Sequence, residues 1–300
     1  MKKILLIIVV LMFGALSASL VSAQDEEEVP VSCDADTLVE AATVLSDGFT
    51  EYQELMVLPD EPTASDLSVA VATADAYAYG FWEGFYEALE EDGACVEVWW
   101  LGYTSGLILD EALIVTQLSA LAVHEAEAGN ADLADSLLTL ATERSETLNV
   151  GVESVQATLA AVIDGEELNL ELVECTEDEM TETWDGLTTI TDAYAELGGM
   201  VEEASGTDLS ALVVGYATLS GGYWSEVYPL VPACYEANDV AFTVGLILDE
   251  SVIVAANLRL AEIESEMGND DLAQALAESG ATRAEELTAA IEEYFGEEEE

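Results

Sequence analysis

The sequence predicts an all-α fold made as a tandem duplication of a roughly four-helix unit, each copy holding one disulfide of its own. Three observations lead there. First, Gly106-Leu-Ile-Leu-Asp-Glu111 returns as Gly245-Leu-Ile-Leu-Asp-Glu250, and Gly129-Asn130 ahead of Asp132-Leu-Ala134 returns as Gly268-Asn269 ahead of Asp271-Leu-Ala273, at a constant offset of 139. Upstream the offset is 142, linking Cys33 to Cys175, Asp66-Leu-Ser68 to Asp208-Leu-Ser210, Gly80 to Gly222, Trp82 to Trp224 and Tyr86 to Tyr228. A three-residue deletion between Tyr228 and Cys234 reconciles the two registers. Roughly half of the positions from Gly106 to Leu148 are identical to their counterparts, too many for chance at a fixed register. Second, alanine, leucine and glutamate dominate, and Pro59, Pro62, Pro229 and Pro232 fall at boundaries, as in helical chains. Third, the four cysteines divide into one pair per copy at matching places.

Along the chain, residues 1–23 read as a signal peptide: Lys2 and Lys3, an apolar run from Ile4 to about Leu16, then Val21-Ser22-Ala23 as a small-residue cleavage site before Gln24. The strongly apolar stretch falls short of the roughly 20 residues that span a bilayer, and no cysteine follows the cleavage site to carry a lipid. The expected location is extracytoplasmic, in a periplasm or outside the cell, with no stable membrane insertion after cleavage. Residues 24–32 form an acidic, solvated segment. The first unit, 33–164, is read as helices over about 34–57, 65–90, 95–128 and 131–163. Residues 165–174 form a linker whose Leu168, Leu170 and Leu172 alternate as in a short extended piece. The second unit, 175–295, is read as helices over about 176–204, 208–228, 235–267 and 270–294, followed by an acidic tail, 296–300. Gly80 and Gly222 suggest a close helix approach or a kink.

In the third helix Ile114, Leu118 and Leu121 recur at heptad-like spacing, and the fourth offers Leu133, Leu137, Leu140 and Leu148. Gly129-Asn130 breaks the run, with Asn130 able to cap the helix that follows, so the two helices should form an antiparallel hairpin. Leu121-Ala122, Gly129, Ala134 and Ala141 stand at the spacings of a tetratricopeptide repeat, and Leu260-Ala261, Gly268 and Ala273 follow in the second copy, where Gly280 replaces the last alanine. One hairpin per copy therefore resembles that family. The resemblance implies a stacked helical scaffold of the kind that binds peptides or proteins on a concave face.

Charge narrows the function classes. Formal net charge is −58; the leader carries two of the five cations and none of the 63 acids, so residues 24–300 hold 3 cations against 63 acids, a net −60. Lysine is absent after Lys3, and the remaining cations are Arg144, Arg259 and Arg283. Such a field repels nucleic acid and anionic membranes and favours basic partners or diffuse metal cations. About half of the residues are nonetheless apolar, enough to build a core. In an exported chain the cysteines predict bridges Cys33–Cys95 and Cys175–Cys234, the one connectivity of three that gives each copy its own.

Two of the three arginines occupy matching positions. Glu111 continues the apolar stripe of the third helix and Arg144 that of the fourth, so both should face the hairpin seam. We expect Glu111 to pair with Arg144 and Glu250 with Arg283 as buried ion pairs, with Asp110 and Asp249 as alternative acids. Trp82 with Tyr86, and Trp224 with Tyr228, lie four residues apart on one helix face. They are candidate ligand-binding residues if exposed, and core if not. His124 is the only histidine, and Ile263 stands at its counterpart, which marks a tolerated helix position. No residue is assigned as a catalytic group, and neither a metal site nor a cofactor is assigned. The expected function is a non-enzymatic binding or interaction module for a basic peptide, a basic protein or a metal cation. An extracytoplasmic structural or salt-adaptation protein is the alternative. A carboxylate-based hydrolase is a third reading, which two acids converging at about 5–9 Å in a cleft would mark.

Surface carboxylates within a Debye length of about 8 Å repel one another in the folded state. Thermal melts should therefore rise with sodium chloride, and calcium chloride at equal ionic strength should add nothing further unless specific calcium sites exist.

Overall fold

The computed structural model describes residues 33–59, 62–92, 95–168, 170, 173–200 and 204–295, with side chains for all of these except 86–92, 199, 200 and 292–295. Residues 1–23, read as a signal peptide, the acidic segment 24–32, Leu172, the tail 296–300 and the Tyr86 side chain lie outside that description.

The described residues form eight α-helices and no strand: α1 Ala35–Leu55, α2 Ala64–Asp92, α3 Val96–Glu127, α4 Ala131–Ile163, α5 Glu177–Met200, α6 Thr207–Gly222, α7 Tyr235–Met267 and α8 Asp270–Phe295. Their ends follow local chemistry. Asp34 caps α1, its carboxylate accepting from the Asp36 and Thr37 N–H groups at 3.1 Å. Thr63 with Asp66 and Thr176 with Glu179 make reciprocal boxes at the starts of α2 and α5. α3 is followed by Gly129, whose φ of +87° suits a residue without Cβ, and α7 by Gly268, φ +83°. Asn130 then stands at the α4 cap position, its carbonyl accepting from Ala134 N–H.

The helix read over 208–228 departs from expectation. α-Helical bonding stops at Gly222, and the chain continues through a π-helical turn, Tyr223–Val227, and a 3-10 turn, Tyr228–Leu230. Pro229 and Pro232 carry no N–H and end the helix there. Tyr223 is fully buried and its hydroxyl donates to the Ala241 carbonyl. A Cβ at Gly80 or Gly222 would meet open space, so neither glycine marks a close approach; Gly222 is instead the last α-helical residue before the π turn. Leu168 and Leu170 are non-helical and belong to no strand.

The chain divides into two compact units. An amino unit holds the described part of Gln24–Ala120 with Ala141–Glu171, and a carboxy unit holds Leu121–Leu140 with the described part of Leu172–Glu300. The tip of the α3–α4 hairpin thus belongs with α5 to α8. In the amino unit Leu38 and Phe49 of α1, Val71 and Ala74 of α2, Leu101, Leu113 and Leu118 of α3, and Leu159 of α4 are buried. In the carboxy unit α7 is central: Ser251 through Asn257 are seven consecutive buried residues, so the helix is enclosed on every side. That geometry hides any amphipathic period in its sequence.

Each unit holds one cystine, Cys33–Cys95 and Cys175–Cys234, with Cα atoms 5.0 and 5.1 Å apart. Two intramolecular disulfides accord with an oxidising, extracytoplasmic compartment. Both are fastened alike: Glu97 accepts the Cys33 N–H at 2.8 Å and Glu236 the Cys175 N–H at 2.9 Å. The Val173 carbonyl also accepts from Tyr235 N–H at 2.9 Å, tying the linker to the start of α7.

The bridges close loops of 62 and 59 residues. Reduction of either should lower unfolding free energy by about 4 kcal/mol on the chain-entropy account, read as a fall in the urea midpoint of a Cys33→Ser/Cys95→Ser or Cys175→Ser/Cys234→Ser variant.

Candidate functional site

The repeated block Gly-Leu-Ile-Leu-Asp-Glu explains itself once its three polar or small positions are followed. Its glutamate faces the seam. Arg144 Nε donates to Glu111 Oε1 at 2.9 Å and Nη2 to Oε2, while Arg283 Nη1 donates to both Glu250 oxygens at 3.0 and 2.8 Å. Arg144 and Arg283 are buried at 5% and 3% exposure, so neither charge is left to water. Removing one partner of such a pair strands a buried charge, a loss of about 3–5 kcal/mol.

The aspartates one residue earlier, the alternative acids, bind the indoles. Asp110 Oδ2 accepts the indole N–H of Trp82 at 2.8 Å, and Asp249 Oδ2 that of Trp224 at 2.8 Å. Asp249 also accepts from the Ser220 hydroxyl. The glycine four residues before each aspartate shares its helix face and receives the ring. A Cβ at Gly106 would stand 2.2 Å from Trp82, and one at Gly245 would stand 2.2 Å from Trp224. No side chain fits there. Each indole also meets a ring on the following helix edge to face, Trp82 with Tyr103 at 5.5 Å and Trp224 with Phe242 at 5.8 Å.

Of the candidate ligand residues, Trp82, Trp224 and Tyr228 are half-buried. The Trp224 and Tyr228 rings touch at 4.9 Å and 62°. Burial pushes the Tyr228 hydroxyl above its ordinary range. Beside these rings Leu230 is 79% exposed, and in the amino unit Trp100 is 36% exposed. Trp82 and Trp224 thus have their N–H groups bound and neighbouring rings against them, and both residues keep partial exposure.

The carboxy unit contains a buried polar cluster that the sequence did not disclose. Glu125, fully buried, accepts from Arg259 Nη2 at 2.9 Å and Nε at 3.2 Å, from the Ser210 hydroxyl, and from Asn130 Nδ2 at 2.6 Å. Burial acts to raise its carboxyl, but the bonds from Ser210, Asn130 and Arg259 prevail and hold it below the ordinary value. Glu264, also fully buried, accepts from Asn269 Nδ2 at 2.6 Å and lies 3.3 Å from His124 Nε2. His124, read as a tolerated helix position, is instead buried against Glu264. Arg259 has no charged counterpart 139 residues earlier, where Ala120 stands, so symmetry reasoning passed over it. The available signal was a lone cation on the apolar helix α7.

The cystine sulfurs and Glu97 or Glu236 bring three donor atoms within 4.8 Å in each unit. The sulfurs are joined to one another and the carboxylates receive backbone N–H groups, so these sets are structural. Among the described residues one helix, α3, is long and apolar enough to cross a membrane; 56% of its most apolar window is buried within the protein. Comparison with known proteins finds no matching family model, no similar curated protein and no similar solved structure.

Burial lowers the His124 imidazole below its ordinary 6.5, outweighing the attraction of Glu264 and Glu127. In the unfolded chain His124 takes up a proton as pH falls through about 6.5, while the folded chain resists it. The stability present above that pH is lost as pH falls toward the folded value, by about 1.4 kcal/mol per pH unit at most. Urea melts at pH 7.5 and 5.5 should lose less between the two pH values in a His124→Ile variant than in the parent.

Proposed function

We propose that the chain is an exported tandem duplication of a four-helix unit that acts as a non-catalytic binding module for cationic partners. The observation that carries this reading is the indole seat. Trp82 on Gly106 and Asp110, and Trp224 on Gly245 and Asp249, are built alike at positions the sequence aligns. A ring clamped by a helix backbone on one side and a carboxylate at its N–H loses little further ordering entropy when a ligand meets the part of it that stays exposed. Ring faces and carboxylates attract the same sign of charge.

Duplication is supported further by matching bonds at aligned residues: Arg144 with Glu111 and Arg283 with Glu250, Asn130 with Glu125 and Asn269 with Glu264. Export is supported by the leader pattern of residues 1–23 and by the two cystines. The α3–α4 and α7–α8 hairpins, with their likeness to tetratricopeptide hairpins, supply the rigid scaffold. The second reading, a structural or salt-adaptation protein, is favoured by the half burial of the rings.

A deca-arginine peptide titrated at fixed ionic strength, followed by tryptophan fluorescence, separates the two. Binding should saturate and should weaken about fivefold in Tyr228→Ala, the loss of one cation–π contact. A signal that fails to saturate at that fixed ionic strength and ignores Tyr228→Ala would favour salt adaptation.

A further inference from the structure

A cavity of about 410 Å³ opens in the amino unit between α1, α2 and α3, a volume within the range of small-molecule sites. Gly48 makes room for it. The Tyr77 hydroxyl donates to the Gly48 carbonyl at 2.6 Å, and a Cβ at residue 48 would stand 3.2 Å from that hydroxyl oxygen. Tyr77 and Phe81 line the side with Phe49, and Asp47 and Glu51 stand exposed at the rim, one helical turn apart. Burial, and after it the Glu51 charge, raises the Tyr77 hydroxyl, so rim carboxylate and phenol sense one another.

The floor carries Ser105. Its side chain is 1% exposed and its hydroxyl finds no hydrogen-bond partner among the described residues. That is unusual in this protein, where Thr104, Ser119 and Ser251 bond back to carbonyls in their own helices. An unpartnered buried hydroxyl lining a cavity is a group held ready for something inside it. The carboxy unit does not keep the arrangement: 142 residues after Gly48 stands Ile190, and 139 after Ser105 stands Val244, both buried. There both the glycine and the hydroxyl residue are replaced by apolar side chains.

Among the described residues of the amino unit Arg144 is the one cation, and it is paired with Glu111, so no described cation of that unit is left for the rim. We propose that the cavity binds a small aralkyl ammonium ion with a hydroxyl at its apolar end. The ammonium group meets Asp47 and Glu51, the ring lies among Phe49, Tyr77 and Phe81, and the hydroxyl pairs with Ser105. This site is independent of the indole seats, and its ligand is a small molecule.

Calorimetric titration of the folded, oxidised chain with tyramine, phenethylamine and tyrosol, at one ionic strength, tests each element. Tyramine should bind one per chain, about tenfold tighter than the uncharged tyrosol and about fivefold tighter than phenethylamine, which lacks the hydroxyl. Asp47→Asn/Glu51→Gln should erase the first preference, Ser105→Val the second, and Gly48→Ile should abolish binding. If Gly48→Ile fails to fold, the Ser105→Val and rim variants still decide. The proposal is overturned by absence of saturable tyramine binding, by equal affinity for tyramine and tyrosol, or by a hydroxyl preference that survives Ser105→Val.

Discussion

All three arginines of residues 24–300 are buried against glutamates, and the rest of the fold is arranged around that fact. Arg144, Arg259 and Arg283 are each 6% exposed or less. In a chain with 63 acids the attraction of an interior cation for carboxylate is a scarce force that opposes repulsion. It is spent inside, where the dielectric is low and an unmatched partner is heavily penalised. Arg144 and Arg283 fix the register of the α3–α4 and α7–α8 hairpins. Arg259 draws Glu125, at the tip of the first hairpin, to α6 and α7.

The acids divide by the same logic. A few are structural: Glu111, Glu250, Glu125 and Glu264 hold arginine, histidine or asparagine, Asp110 and Asp249 hold indoles, and Glu97 and Glu236 hold cystine backbones. Each of these comes as a pair 139 residues apart. Cores built this way contain many charge-assisted hydrogen bonds, which specify geometry more sharply than apolar packing alone. Most of the other described carboxylates are exposed, Asp75 at 2% being an exception, and they set the sign of what approaches the surface.

Helix positions were legible because composition, glycine-asparagine breaks and prolines all point the same way; seven of the eight helices lie within a few residues of those read from the chain, apart from 201–203, which lie outside the described residues, and α6 alone stops six residues early, at Gly222. The Glu111–Arg144 and Glu250–Arg283 contacts were legible from stripes on facing helices. The indole seats were not, although the block that makes them was the most visible repeat. A glycine four residues before an aspartate reads as sequence identity until a ring is found lying on it. Glu125 with Arg259 joins residues 134 apart without a symmetric twin, and long-range pairing of that kind leaves no local trace. The π turn at Tyr223 was hidden because helical periodicity continues through it. The Ser105 cavity depends on what is missing at residue 48, and absent atoms have no pattern in a sequence.

The burial of every arginine has a consequence for how this protein meets proteases. Enzymes that cleave after lysine or arginine find no lysine beyond Lys3, and their remaining targets lie within α4, α7 and α8, side chains turned inward. Cleavage there requires the helix to open first. Trypsin thus becomes a gauge of unfolding for this chain, blind to the native state and able to cut only what has already come apart.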